Sequence, residues 1–104
     1  MIAQPDSAVL TAYVAGWVDE SDLRLAWIVE CITRHSVGDW GDLDEHDHAS
    51  NARCLHHRTG RVLSRYPVPT ELLDGSEDDD AVWIITDDLE DPDTTTTVLW
   101  PSDY

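Results

Sequence analysis

Apolar side chains follow two different periods along this chain. In the first half they recur every three to four residues, as on one face of a helix. In "SAVLTAYVAG", Val9, Leu10, Tyr13 and Val14 keep helical spacing, with Asp6 or Ser7 to cap the start and Gly16 to close the end. "SDLRLAWIVECITRH" predicts the strongest helix. Ser21 is its N-cap, Asp22 stands in the first turn, and Leu25, Ile28, Val29 and Ile32 form a stripe to be buried, with Trp27 at its edge. "SVGDWG" then reads as a turn. "LDEHDHASNARCLHHRTG" predicts a further helix, acidic in its first turn, basic in its last and closed by Gly60. Its apolar face is thin (Leu43, Ala52, Cys54 and Leu55), so partial exposure is expected.

From residue 61 the period changes. "RVLSRYPV" alternates, and "AVWIITDD" and "TTTTVLW" are short β-branched and aromatic runs, so three strands are predicted. The linkers between them suit hairpins and therefore an antiparallel meander. Helices first and strands afterwards predict a single α+β domain over residues 1–104, with two or three N-terminal helices packed on a C-terminal three-stranded antiparallel sheet.

Composition narrows the function classes. A hydrophobic fraction of 41% with five tryptophans argues for a packed core. No apolar run approaches the ~20 residues of a membrane span, and the N-terminal stretch lacks the basic region of a secretory signal. Cys31 and Cys54 are too few for a disulfide scaffold, which fits a reducing, cytoplasmic compartment. The formal net charge is −16. Such a field repels nucleic acid and anionic membranes, so no direct nucleic-acid binding is expected, and it favours a basic partner. All six cations are Arg, which codon bias or a high-salt cytoplasm would also produce.

Half of the 22 acidic residues lie between Glu71 and Asp93, a stretch without Lys, Arg or His. If residues 81–86 form a strand of about 20 Å, the Glu77–Asp80 and Asp87–Asp93 runs flank it. Carboxylates held rigidly at that separation can imitate a track of DNA phosphates and enter a basic groove. Glu77, Asp78, Asp79, Asp80, Asp87, Asp88, Glu90, Asp91 and Asp93 are the candidate partner-binding residues. General acidity for solubility or salt tolerance is the competing account, although five Trp run against extreme salt adaptation.

Other constellations carry less. Cys31 and His35 share a face of one predicted helix, and Cys54 and His57 share a face of the next. A two-Cys, two-His zinc site is thus an alternative to the expectation of no metal and no cofactor, with Cys31 and a His-rich helix end as plain structural features otherwise. His46, His48 and His56 are expected to face solvent. His35, Asp39 and Asp42 around "GDWG" could do acid–base work, but no nucleophile motif accompanies them. The competing account has the two Gly shaping a turn, Asp39 capping the next segment and Trp40 sealing the core. Of Trp83, Trp100, Tyr66 and Tyr104, three are expected to pack, and any exposed aromatic face would be a protein-binding patch.

Three blocks taken in order, "RHSVGDWGDLDEHDHASNARCL", "RVLSRYPVP" and "VWIITDDLEDPDTTTTVLWPSDY", resemble a family of small bacterial plasmid-related or mobile-element proteins. The positions that carry the resemblance are Arg34, His35, Gly38, Asp39, Trp40, Gly41, Asn51, Leu63, Ser64, Tyr66, Trp83, Ile84, Ile85, Thr86, Thr96, Thr97, Leu99, Pro101 and Tyr104. Members carry an acid–arginine turn between the last two strands; here "DDLEDPDT" is longer and has no cation. The resemblance implies no defined activity, but it implies a setting among plasmids, integrated elements and host defence. The expected function is therefore non-enzymatic: an acidic accessory protein that binds the basic surface of a nucleic-acid-binding protein or defence complex. Its sharpest form is a DNA-mimicking anti-CRISPR or anti-restriction inhibitor. The alternatives are a non-inhibitory accessory or regulatory protein, with a homodimer among its assemblies, and a small zinc-stabilised domain.

Overall fold

Alternating and β-branched runs at 62–67, 81–86 and 96–99 become three strands, and helical spacing before them becomes three helices. The computed structural model describes residues 7–104. In chain order the elements are β1 (Val9–Leu10), α1 (Ala12–Asp19), α2 (Asp22–Ser36), α3 (Glu45–His57), β2 (Val62–Pro67), β3 (Ala81–Thr86) and β4 (Thr96–Leu99). The architecture is α+β, and β2, β3 and β4 form the expected antiparallel meander. The sheet is nevertheless four-stranded and mixed, in the order β1-β4-β3-β2, because Val9 and Leu10 pair in parallel with Thr97 and Val98. Without β1 the outer edge of β4 would leave backbone groups unpaired, and satisfying them outweighs the helical spacing of Val9 and Leu10.

The helices also depart from the simplest reading. Asp6, one of the two expected caps, lies outside the described residues. The other, Ser7, is replaced by Thr11, whose hydroxyl accepts from the Val14 amide and donates to Asp103. Gly16 does not end α1; the helix runs through it to Asp19. A mid-helix glycine costs about 1 kcal/mol relative to alanine, and a Cβ at Gly16 would meet nothing within 4 Å. Helix α3 ends at Arg58, which takes the left-handed cap conformation itself (φ 54°), two residues before Gly60.

The buried face of α2 is rotated from the expected stripe. Ile28 and Ile32 are buried, but Leu25 and Val29 remain 47% and 40% exposed. Arg24, Cys31 and His35 are buried instead. A guanidinium and an imidazole occupy positions that apolar pattern reading leaves to solvent, because each finds polar partners inside. The core joins this face and Val14, Trp17 and Val18 of α1 to Tyr66, Val82, Ile84 and Val98 on the helix side of the sheet.

The outer edge of β2 is closed by polar groups. The Arg65 amide donates to the Trp40 carbonyl, and the Asp42 amide donates to the Arg65 carbonyl. Two residues along, the Asn51 side chain accepts from the Leu63 amide and donates to the Leu63 carbonyl, as a neighbouring peptide would. Gly41 lies against this edge at φ 76°, and a Cβ there would overlap the Arg65 carbonyl oxygen and press on the Tyr66 ring.

Two opposite outcomes follow for glycine replacement. Gly16→Ala raises stability by about 0.5–1 kcal/mol, read as a higher urea midpoint. Gly41→Ala lowers it by on the order of 3 kcal/mol, since a left-handed residue must also displace a strand backbone.

Candidate functional site

Two polar assemblies and two acidic turns are the features from which a function could be built. The first assembly centres on His35 in the last turn of α2, fully buried beneath the sheet. Nδ1 lies 2.6 Å from the Ser64 hydroxyl on β2, and Nε2 lies 2.9 Å from the Thr86 hydroxyl on β3. Thr86 in turn lies 2.8 Å from the Thr96 hydroxyl on β4. One imidazole thus bridges α2 to two strands directly and to a third through Thr86. A neutral ring offers one donor and one acceptor, and hydroxyls can take either role, so each polar side-chain atom of the His35, Ser64, Thr86 and Thr96 network has a partner. Trp40 packs edge-on against the ring at 5.6 Å. Burial strips the imidazolium of water and lowers the His35 pKa to about 4. Burial also pushes the adjacent Cys31 thiol up to about 12, so it is no nucleophile.

Ser64 and His35 have the contact of a nucleophile–base pair, yet both are sealed from solvent and no substrate reaches them. Nor do His35, Asp39 and Asp42 assemble. Asp39 pairs with Arg34 at 2.7 Å and Asp42 with Arg65 at 2.6 Å, while His35 faces the opposite way. Asp44, rather than Asp39, caps α3. Arg34 lies over the Tyr66 ring, and the Tyr66 hydroxyl donates to the Asp39 carbonyl. Most of the pattern residues from Arg34 to Thr96 therefore build the interior and edge of this fold. Trp83 and Tyr104 meet edge to face at 5.8 Å on the other side of the sheet, where Tyr104 stays exposed.

The proposed zinc ligands do not converge. Both His35 nitrogens are engaged by hydroxyls, Cys31 is buried, Cys54 lies against Gly60, and His57 is exposed beside His56. Among the described residues only Asp44, His46 and Asp47 bring ligand atoms within 4.8 Å of one another. They sit on the surface at the start of α3, where the Asp44 carboxylate already caps the Asp47 amide.

The second assembly surrounds Arg24, which sequence reasoning passed over. Its guanidinium stacks 4.6 Å above the Trp17 ring and donates to the carbonyls of Trp17 and Leu72. It pairs with Glu20 at 2.9 Å, Asp74 at 3.4 Å and Glu77 at 3.5 Å. Glu77 also accepts from the Trp17 indole and from the Asp74 and Gly75 amides. Burial works to raise the Glu77 pKa, but these donors together hold it below the usual carboxylate range. A signal for this cluster was present: Glu20 and Arg24 are one turn apart, and Trp17 is one turn before Glu20.

The nine acidic candidates flank β3 as expected, but they are not equivalent. The Glu77 side chain is only 6% exposed and is committed to the interior. Asp79 accepts from the Ser102 hydroxyl and amide across the sheet end, and Asp80 lies 3.9 Å from Arg65. At the other end the turn is braced from within. Asp88 accepts from the Glu90 amide, Asp91 accepts from the Asp93 amide, and Thr94 accepts from the Asp88 amide. The Leu89 amide donates to the Gly60 carbonyl and docks this turn on the start of β2. Asp78, Asp87, Glu90 and Asp93 are left exposed. From His48 to Thr70 there is no acid at all, so β2 and α3 beyond its acidic first turn carry no carboxylate.

Comparison with protein-family models, with curated protein sequences and with solved structures yields no match. None of the described helices is long and apolar enough to cross a membrane.

His35 gives a pH test with a definite sign. Its folded pKa lies below the ordinary histidine value, so the unfolded chain takes up the proton first. The contribution is complete above about pH 6.5 and is lost as pH falls towards 4, by roughly 3 kcal/mol in total. Urea denaturation of the parent and of His35→Gln across this window separates the effect from the relief of carboxylate repulsion, which acts in the opposite sense. The variant loses less stability than the parent on acidification, and an NMR titration finds the His35 ring neutral down to about pH 4.

Proposed function

We propose that this protein works by binding a basic protein surface, and that its sharpest action is to occupy the DNA-binding groove of a CRISPR or restriction complex as a phosphate mimic. The observation that carries this reading is the pair of internally braced carboxylate turns at the two ends of β3. Carboxylates carried on ordered turns lose less conformational entropy on binding than charges on a floppy tail. The six residues between the turns span about 20 Å, so both ends can follow one basic groove. A net charge of −16 steers such an encounter and makes it salt-sensitive.

The contact set narrows to Asp78, Asp79, Asp80, Asp87, Asp88, Glu90, Asp91 and Asp93, with Glu77 acting as an internal brace. The action is non-enzymatic and cytoplasmic in this reading, and the mobile-element setting rests on the sequence resemblance. A second reading, a non-inhibitory accessory protein that forms a homodimer, draws on the exposed Leu25 and Val29 of α2. It is favoured if light scattering gives a dimer mass that salt does not change.

The test is a variant carrying Asp87→Asn, Asp88→Asn, Glu90→Gln and Asp91→Asn. Each replacement keeps a side-chain oxygen to accept the local bonds. Inhibition of target-DNA cleavage by CRISPR and restriction complexes should weaken by roughly tenfold or more at low salt, with melting temperature unchanged. Full inhibition by this variant rejects the mimic.

A further inference from the structure

Helix α1, the 76–79 turn and the C-terminal turn at 101–103 enclose an open groove of about 420 Å3, within the size range of small-ligand sites. Tyr13, Gly16 and Glu20 succeed one another along one face of α1 and line it. Tyr13 is 76% exposed. The opposite rim carries Asp78, Asp79 and Asp103, and no Arg or His lines the groove. Among the described residues, none of these three aspartates is within ion-pair distance of a cation.

Gly16 is the telling residue. It stands inside a helix, it needs no special backbone angle, and a Cβ there would meet nothing within 4 Å. The fold gains nothing from the missing side chain and is weakened by it. What the glycine does is keep the groove open beside Tyr13.

The chemistry of an occupant is written next door. The chain's own Arg24 lies on the Trp17 ring and pairs with Glu20 and Glu77, and Trp17, Glu20 and Glu77 also line the groove. The outer half offers the same elements, an exposed aromatic ring and carboxylates at its edge, with no internal cation to fill them. A flat guanidinium suits both a ring face and a carboxylate pair. A metal ion suits the site poorly, since no three of these carboxylates bring oxygens within 4.8 Å of one another.

We propose that the groove over Gly16 receives an arginine side chain of the basic partner, laid on Tyr13 and held by Asp78, Asp79 and Asp103. This rests on the reading of the protein as a binder of basic surfaces and adds an anchoring point to it.

The probe is a short peptide of alternating Gly and Arg, with lysine and citrulline versions as controls, titrated into the isotope-labelled chain. The expected result is that the Gly16 amide and the Trp17 indole signals shift with the arginine peptide, less with lysine and not with citrulline. Gly16→Leu, which fills the groove, weakens arginine-peptide affinity by roughly tenfold or more without lowering the melting temperature. Tyr13→Ser gives the same loss and serves if the leucine variant misfolds. If shifts are confined to the 87–93 turn and both variants bind like the parent, the anchor is wrong and the acidic-surface reading stands. If no cationic peptide binds even at low salt, both fall.

Discussion

A buried imidazole seats the helices on the sheet. His35 leaves α2 at its last turn, and its two nitrogens must find partners in a space that water does not enter. Ser64 and Thr86 supply them from adjacent strands, and Thr86 passes the chain of bonds to Thr96. Apolar packing alone would allow α2 to slide along the sheet at small cost. Two directional bonds, each costly to leave unmade in a dry interior, do not. The same requirement fixes the face of α2 that looks inward. With His35 committed, Arg24 three turns earlier is carried inward as well, and Leu25 and Val29 are carried out.

That rotation shows where pattern reading stops. The strands were legible because alternation and β-branched runs need only local information, and β2, β3 and β4 fall inside the runs that predict them. Helix α2 was legible as a helix, but its buried face was not. Hydropathy assigns Arg24 to solvent, and only Trp17, Glu20, Asp74 and Glu77, drawn from distant parts of the chain, make its burial favourable. Strand β1 escaped because two residues carry no period and their partner lies almost ninety residues on. The acidic turns were visible as composition, whereas the inward commitment of Glu77 was not. The groove on α1 was invisible for the same reason as the Arg24 cluster: its walls meet only in three dimensions.

The exclusive use of arginine acquires a structural meaning here. Arg24 lies on Trp17, Arg34 on Tyr66 and Arg61 on Tyr104. Arg34 and Arg61 also hydrogen-bond from the same planar group, to Asp39 and to the Tyr104 hydroxyl. An ammonium can pair with a carboxylate, but it cannot lie flat on a ring while doing so. In a chain so heavily negative, three of the six cations lie on the chain's own aromatic rings, while Arg53 and Arg58 stand exposed on α3 and its cap.

The side-chain amide of Asn51 and the backbone around Gly41 have one further effect. They occupy the outward-facing donors and acceptors of Leu63 and Arg65, the positions from which a foreign strand would extend the sheet. Growth of the sheet by annexing another chain is thus barred along that flank. Whatever meets the protein there must read its side chains, since its main chain is already spoken for.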